Sequence, residues 1–195
     1  MTPLVSLGRA AGAGQERELA EAAARRALRR LGLPGSVDLR REPGGAPRAW
    51  LGPQPLPLHL SLSHAGGRAV AAASRRRVGV DLVCGPLEDE GLWASFFSAG
   101  ERAALSAYPD GLRLGFCVKE AAWKALAGEG PSELGAWQLQ LSARPARGHA
   151  RGLVRVCPER GARAGRAVAL NFWSWPSRGD RVALCLAAGE DGSER

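Results

Sequence analysis

Apolar residues recur along this chain with two periods, one helical and one of two, and the switches between them mark out the elements. In QERELAEAAARRALRRLGL, alanine and leucine are interleaved with glutamate and arginine. This composition predicts a helix over about residues 15–31 that stops at Gly32 and Pro34. The next stretch, REPGGAPRAWLGPQPLP, is dense in proline and glycine and reads as a long loop. In LHLSLSH, Leu58, Leu60 and Leu62 alternate with His59, Ser61 and Ser63, the pattern of a half-buried strand with His64 at its end. RAVAAAS, the charged turn RRR and VGVDLV follow as strand, turn and strand.

The second half continues in the same manner. FFSAGERAALSAY opens a helix, with Ser98 and Glu101 at capping-box spacing. After the turn YPDG, FCVKEAAWKALAGEG is helical in composition as far as Gly128. Val118, Ala122 and Ala125 form an apolar stripe there, and Glu120 with Lys124 points the other way. GAWQLQLS, GLVRVCP, VALNFWSW and RVALCLAAG read as three or four strands, and the polar tail over about residues 189–195 is expected to be disordered.

One strand contains an anomaly. In VGVDLV, Val78, Val80 and Leu82 share one face while Gly79, Asp81 and Val83 share the other. An aspartate in such a strand lies either at a solvated end or against something positive, and the segment alone leaves both readings open.

Composition narrows the field modestly. The 195 residues, 45% hydrophobic and 24% charged, suffice for one large domain or two small ones with a real core. A net charge of +8 draws phosphates, nucleic acid or acidic proteins, although an arginine- and alanine-rich composition also follows from genomic base composition. A nucleic-acid module would cluster its arginines with exposed aromatics, whereas here the arginines are dispersed and the tryptophans mostly sit in apolar strands. Cys84, Cys117, Cys157 and Cys185 are too widely spaced for a zinc site and are expected as reduced thiols. With no leader-like amino terminus and no run of eighteen apolar residues, the expectation is a soluble cytoplasmic protein.

The lysines change the picture more. Lys119 and Lys124 are the only two among 27 basic residues, the other 25 being arginine. Glu120 and Lys124, four apart with the acid first, suit a solvated helical ion pair, but arginine would serve equally there. Lysine adds a compact ammonium that can meet a single phosphate oxygen. With the lone carboxylate Asp81, this pair suggests a hard cation held by two acids with a phosphate above it.

VGVDLV, FFSAGERAAL and FCVKEAAWKALAGEG, in this order and at these separations, resemble the signature segments of the 4'-phosphopantetheinyl transferases. LSLSHAGG resembles the Ser-His stretch of the larger, surfactin-synthetase-activator type. GGAPRAW is similar to that type's Gly-basic-Pro segment, and RELAEAAARRAL to its first helix. As motifs, the resemblance runs from about Arg17 to Gly130.

The resemblance implies an α+β fold: a pseudo-twofold pair of similar halves, each an antiparallel sheet packed with helices, over residues 1–76 and 77–195. It implies a monomer that moves phosphopantetheine from coenzyme A to a serine of an acyl or peptidyl carrier protein, with no role for nucleic acid or a membrane. Asp81 and Glu120 fall on its magnesium-binding carboxylates, and Glu120 or a metal-bound water on the acceptor of the serine proton. Lys124 falls on the pyrophosphate-contacting lysine, and Lys119 on a second basic position. Arg17, Ser63 and His64 fall on positions that bind coenzyme phosphates. Two positions differ from the larger type: Val83 stands where a second acid is common, and Ala46 where the basic residue is usual, with Arg48 two residues on. The first half also begins almost at its first helix. A module of the same fold that binds coenzyme A or a carrier without turnover is the alternative expectation.

Overall fold

The computed structural model describes residues 4–9, 16–41, 46–86, 88–126, 129–142, 149–157, 165, 167–177 and 179–187. The predicted disordered tail lies outside them, as does the predicted end of the last helix near Gly128. The fold is mixed α and β, and its sheets are antiparallel throughout.

Helix α1, Glu16–Arg30, buries Ala20, Ala23, Ala24, Ala27 and Leu28, one stripe at helical spacing. It packs on a three-stranded sheet of β1 (Leu4–Arg9), β5 (His59–Ala65) and β6 (Arg68–Ser74), in the order β1-β6-β5. Ala71 and Ala73 of β6 meet the alanines of α1. Strand β1 was not anticipated, so the first half does not begin at its helix.

The proline- and glycine-rich stretch is not a long loop. Over its described residues it forms β3 (Pro47–Leu51) and β4 (Gln54–Pro55), which with β2 (Asp38–Arg41) make a small meander in the order β2-β3-β4. Pro47 begins its strand and Pro55 lies on the edge strand, positions where a missing N–H disrupts no ladder.

The second sheet has five strands: β7 (Val78–Val83), β8 (Gln138–Leu141), β9 (Ala150–Val156), β10 (Val168–Ser177) and β11 (Asp180–Ala187), in the order β7-β11-β10-β9-β8. One face carries α4 (Gly111–Ala125), flanked by α2 (Glu90–Ala94) and α3 (Ala99–Leu105). On the other, Val78, Val80 and Leu82 of β7 and Val182 and Leu184 of β11 pack against Val70 and Ala72 of β6. The capping box is present: Ser98 Oγ accepts the Glu101 N–H, and Glu101 accepts the Ser98 N–H.

Strand β5 departs from the half-buried expectation in an informative way. Its leucines face α1, but Ser61 and Ser63 are buried too, turned toward β7. The Ser61 hydroxyl accepts the Val80 N–H at 3.0 Å, and the Ser63 hydroxyl accepts the Leu82 N–H at 3.2 Å. These hydroxyls stand in for the carbonyls of a neighbouring strand, which is how a buried polar face is satisfied.

Candidate active site

Asp81 is placed by a close approach of strand and helix. A side chain at Gly79 would overlap the Ala121 carbonyl of α4, so glycine is what lets β7 lie against the helix. Two residues on, Asp81 projects from the same face of β7 toward α4. It is 5% exposed, so it lies inside the protein rather than at a solvated strand end.

Its partners come from two other elements. Lys124 Nζ is 2.5 Å from Asp81 Oδ1, and the Ser63 hydroxyl donates to the same oxygen at 2.7 Å. Lys124 also donates to Ser63 Oγ at 3.2 Å, closing a triangle of β5, β7 and α4. Such a charge-assisted cluster satisfies a buried carboxylate. Lys124 therefore directs its ammonium to Asp81 and not into a solvated helical pair with Glu120.

Glu120, one turn before Lys124, is half-buried and has no hydrogen bond or ion pair among the described residues. Burial pushes its carboxyl above the usual range and the charge of Asp81 adds to this, with Lys124 opposing. A half-buried carboxyl raised by the charge of a neighbouring acid is an arrangement that a cation would relieve. Among the described residues no group of three or more His, Cys, Asp or Glu forms a metal site. Two hard oxygen donors are enough for magnesium, which keeps several waters and takes further ligands from phosphates. Asp81 and Glu120 fit such an ion. Val83, on the same face as Asp81, packs against the apolar core and offers no third ligand.

The remaining expected residues divide. Ser63 belongs to the cluster. His64 is 43% exposed, with Nδ1 placed 3.0 Å from Glu16 Oε2. Arg17 is 72% exposed and pairs with Glu21 at 3.5 Å. Lys119 is not brought to Asp81 at all. It is fully buried, 3.0 Å from Glu101, donating to the Phe96 carbonyl at 2.7 Å and lying over the Phe97 ring. One helix position separates it from Glu120, and that 100° turn aims it under α3 instead of at the carboxylates.

Sequence reasoning passed over Glu16, whose side chain reaches His64 and Gly67. An acid in a first helical turn signals only a favourable dipole contact, and nothing local shows a partner 48 residues on. A cavity of about 690 Å³, walled in part by Pro86, Glu90, Leu105, Tyr108, Leu112 and Arg113, lies near the start of α4; Asp81, Glu120 and Lys124 are not among its walls.

All four cysteines are free thiols. Cys117 donates to the Asp81 carbonyl at 3.4 Å, and burial pushes its thiol well up. It is a packing residue.

No protein-family model matches the chain, and no curated protein matches it in sequence. No helix among the described residues is long and apolar enough to cross a membrane.

Proposed function

We propose that this protein is a magnesium-dependent transferase that moves 4'-phosphopantetheine from coenzyme A to a serine of an acyl or peptidyl carrier protein. The observation that carries this reading is the Asp81–Ser63–Lys124 triangle with Glu120 beside it. Two acids, a compact ammonium and a hydroxyl meet where the β1-β6-β5 sheet packs against the five-stranded sheet and α4, a donor set suited to a hard cation and a phosphoanhydride. Topology supports the pseudo-twofold architecture. In each half the first strand pairs with the last, and the last with the one before it: β1-β6-β5 and β7-β11-β10.

In this reading the carrier serine Oγ attacks the pantetheine-bearing phosphorus. A phosphorus–oxygen bond to serine forms, the bond to the bridging oxygen breaks, and its electron pair leaves on adenosine 3',5'-bisphosphate. Asp81 and Glu120 would hold magnesium, whose chemistry is to neutralise the pyrophosphate oxygens. Glu120 accepts the serine proton, directly or through a water. Lys124 faces the departing bisphosphate with its ammonium, and Ser63 keeps Asp81 oriented.

The test is incubation with magnesium, coenzyme A and a panel of apo carrier proteins, read by intact carrier mass. The expected result is a gain of one phosphopantetheine, lost when the carrier serine is alanine and lost on chelation. No gain on any carrier, with coenzyme A still bound, would replace transfer by a binding role.

A further inference from the structure

Glu16, the first residue of α1, uses both carboxylate oxygens on the β5–β6 hairpin. Oε1 accepts the Gly67 N–H at 2.8 Å, and Oε2 lies 3.0 Å from His64 Nδ1. The turn between the strands has Gly66 at φ +53° and Gly67 at φ +68°, two left-handed positions that glycine adopts without strain. Glycine at both leaves the turn little stiffness of its own, and contacts from 48 and 51 residues away supply it. The Gly67 hydrogen bond, helped by His64, holds the Glu16 carboxyl below the usual glutamate range, so it is an anion at neutral pH.

An anionic acceptor at Nδ1 fixes which ring nitrogen carries the proton of a neutral imidazole and sets the angle of the ring. Nε2 is then the free nitrogen, on a ring that is 43% exposed. We propose that Glu16 is a positioning residue: it accepts the Nδ1–H of His64 and so presents Nε2, at a fixed angle, to a phosphate of coenzyme A, toward which Nε2 donates once the ring has taken up a second proton from solvent. This rests on the transferase reading above. When a phosphate oxygen shares a proton with Nε2, the imidazole lies between two anions, as in other carboxylate–histidine pairs.

Two variants test it beside the wild type. Glu16→Ala removes both contacts, whereas Glu16→Gln keeps a carbonyl oxygen for Gly67. Two readouts are used: ¹⁵N shifts of the His64 ring in the free protein, and calorimetric affinity for coenzyme A with magnesium, set beside kcat at saturating coenzyme A. The expectation is a protonated Nδ1 in the wild type, loss of that tautomer in Glu16→Ala, and about tenfold weaker coenzyme A binding with kcat unchanged. Glu16→Gln is expected to fall between, with its thermal stability retained. A wild type that binds coenzyme A no better than Glu16→Ala, or a neutral His64 ring that carries its one proton on Nε2, overturns the positioning role alone. A wild type that binds no coenzyme A overturns the transferase reading and the positioning role together.

Discussion

Lys124 Nζ lies 2.5 Å from Asp81 Oδ1, although the residues are 43 positions apart and stand on helix and strand. The pair does structural and electrostatic work at once: the ammonium neutralises a carboxylate 5% exposed, and its own side chain stays 24% exposed. Asp81→Asn and Lys124→Arg separate these roles. Asp81→Asn removes a cation ligand while keeping shape, and carrier modification is expected to fall about 100-fold or more with the circular dichroism unchanged. Lys124→Arg keeps the charge but replaces a compact ammonium by a planar fork, and a fall of about tenfold is expected. Wild-type rates from a folded Asp81→Asn protein would exclude the proposed chemistry.

Glu120 is expected to diminish stability. Its carboxyl titrates above the ordinary 4.5, chiefly through burial and then through Asp81. Between the unfolded and folded values the folded state keeps a proton that the unfolded state releases, so stability falls as pH rises through that window. The full cost is present above the folded value. Glu120→Gln should therefore abolish transfer yet stabilise the magnesium-free protein by about 1 kcal/mol, ~2–4 °C in Tm. The gain should shrink as melts are repeated toward pH 4.5. A variant less stable than wild type at pH 7 would contradict this assignment.

Lys119 gives the opposite case. Its ammonium is fully buried, and Glu101 also accepts the N–H groups of Leu139 at 2.7 Å and Ser98 at 2.7 Å, so one carboxylate joins α3, α4 and β8. Lys119→Met leaves that carboxylate without its cation and should cost about 3–5 kcal/mol in chemical denaturation. Adding Glu101→Gln should recover most of the loss. If Lys119 instead touched the coenzyme, the double variant would regain stability while its coenzyme A affinity stayed low.

What the sequence made legible was whatever local pattern controls. The alternation in LHLSLSH and VGVDLV, the Ser98–Glu101 cap and the carboxy-terminal strands, read as three or four, all follow from short-range periodicity. Asp81, Glu120 and Lys124 could be singled out because charge is anomalous in an apolar strand and lysine is rare in this chain. The failures have a common cause in tertiary context. The meander around Trp50 is built from residues with poor strand propensity, held by pairing with Asp38–Arg41. Lys119 and Glu120 are adjacent in sequence, and only the packing of α3 on one side of α4 decides that the first is a buried strut and the second a candidate ligand. Glu16 was invisible because its partners lie in a distant hairpin.

The orientation of α4, and so of Glu120 and Lys124, depends on its first turn. Asp110, the residue before the helix, pairs with Arg181 at the start of β11 and with Arg113 at 3.1 Å, while Arg113 also donates to the Gly85 and Gly179 carbonyls. Burial alone would raise the Asp110 carboxyl, but Arg181 and then Arg113 outweigh it and hold the group below the ordinary 3.8. A depressed folded value means stability that is present above 3.8 and is lost as pH falls through the folded value. Asp110→Asn removes the carboxylate charge that faces Arg181, itself 2% exposed, and a loss of about 3 kcal/mol at pH 7 is expected from urea unfolding. The deficit should narrow below about pH 4 as the wild-type carboxyl becomes protonated. Equal stability of the two proteins at pH 7 would show that the Arg181–Asp110 contact does not hold α4 in place.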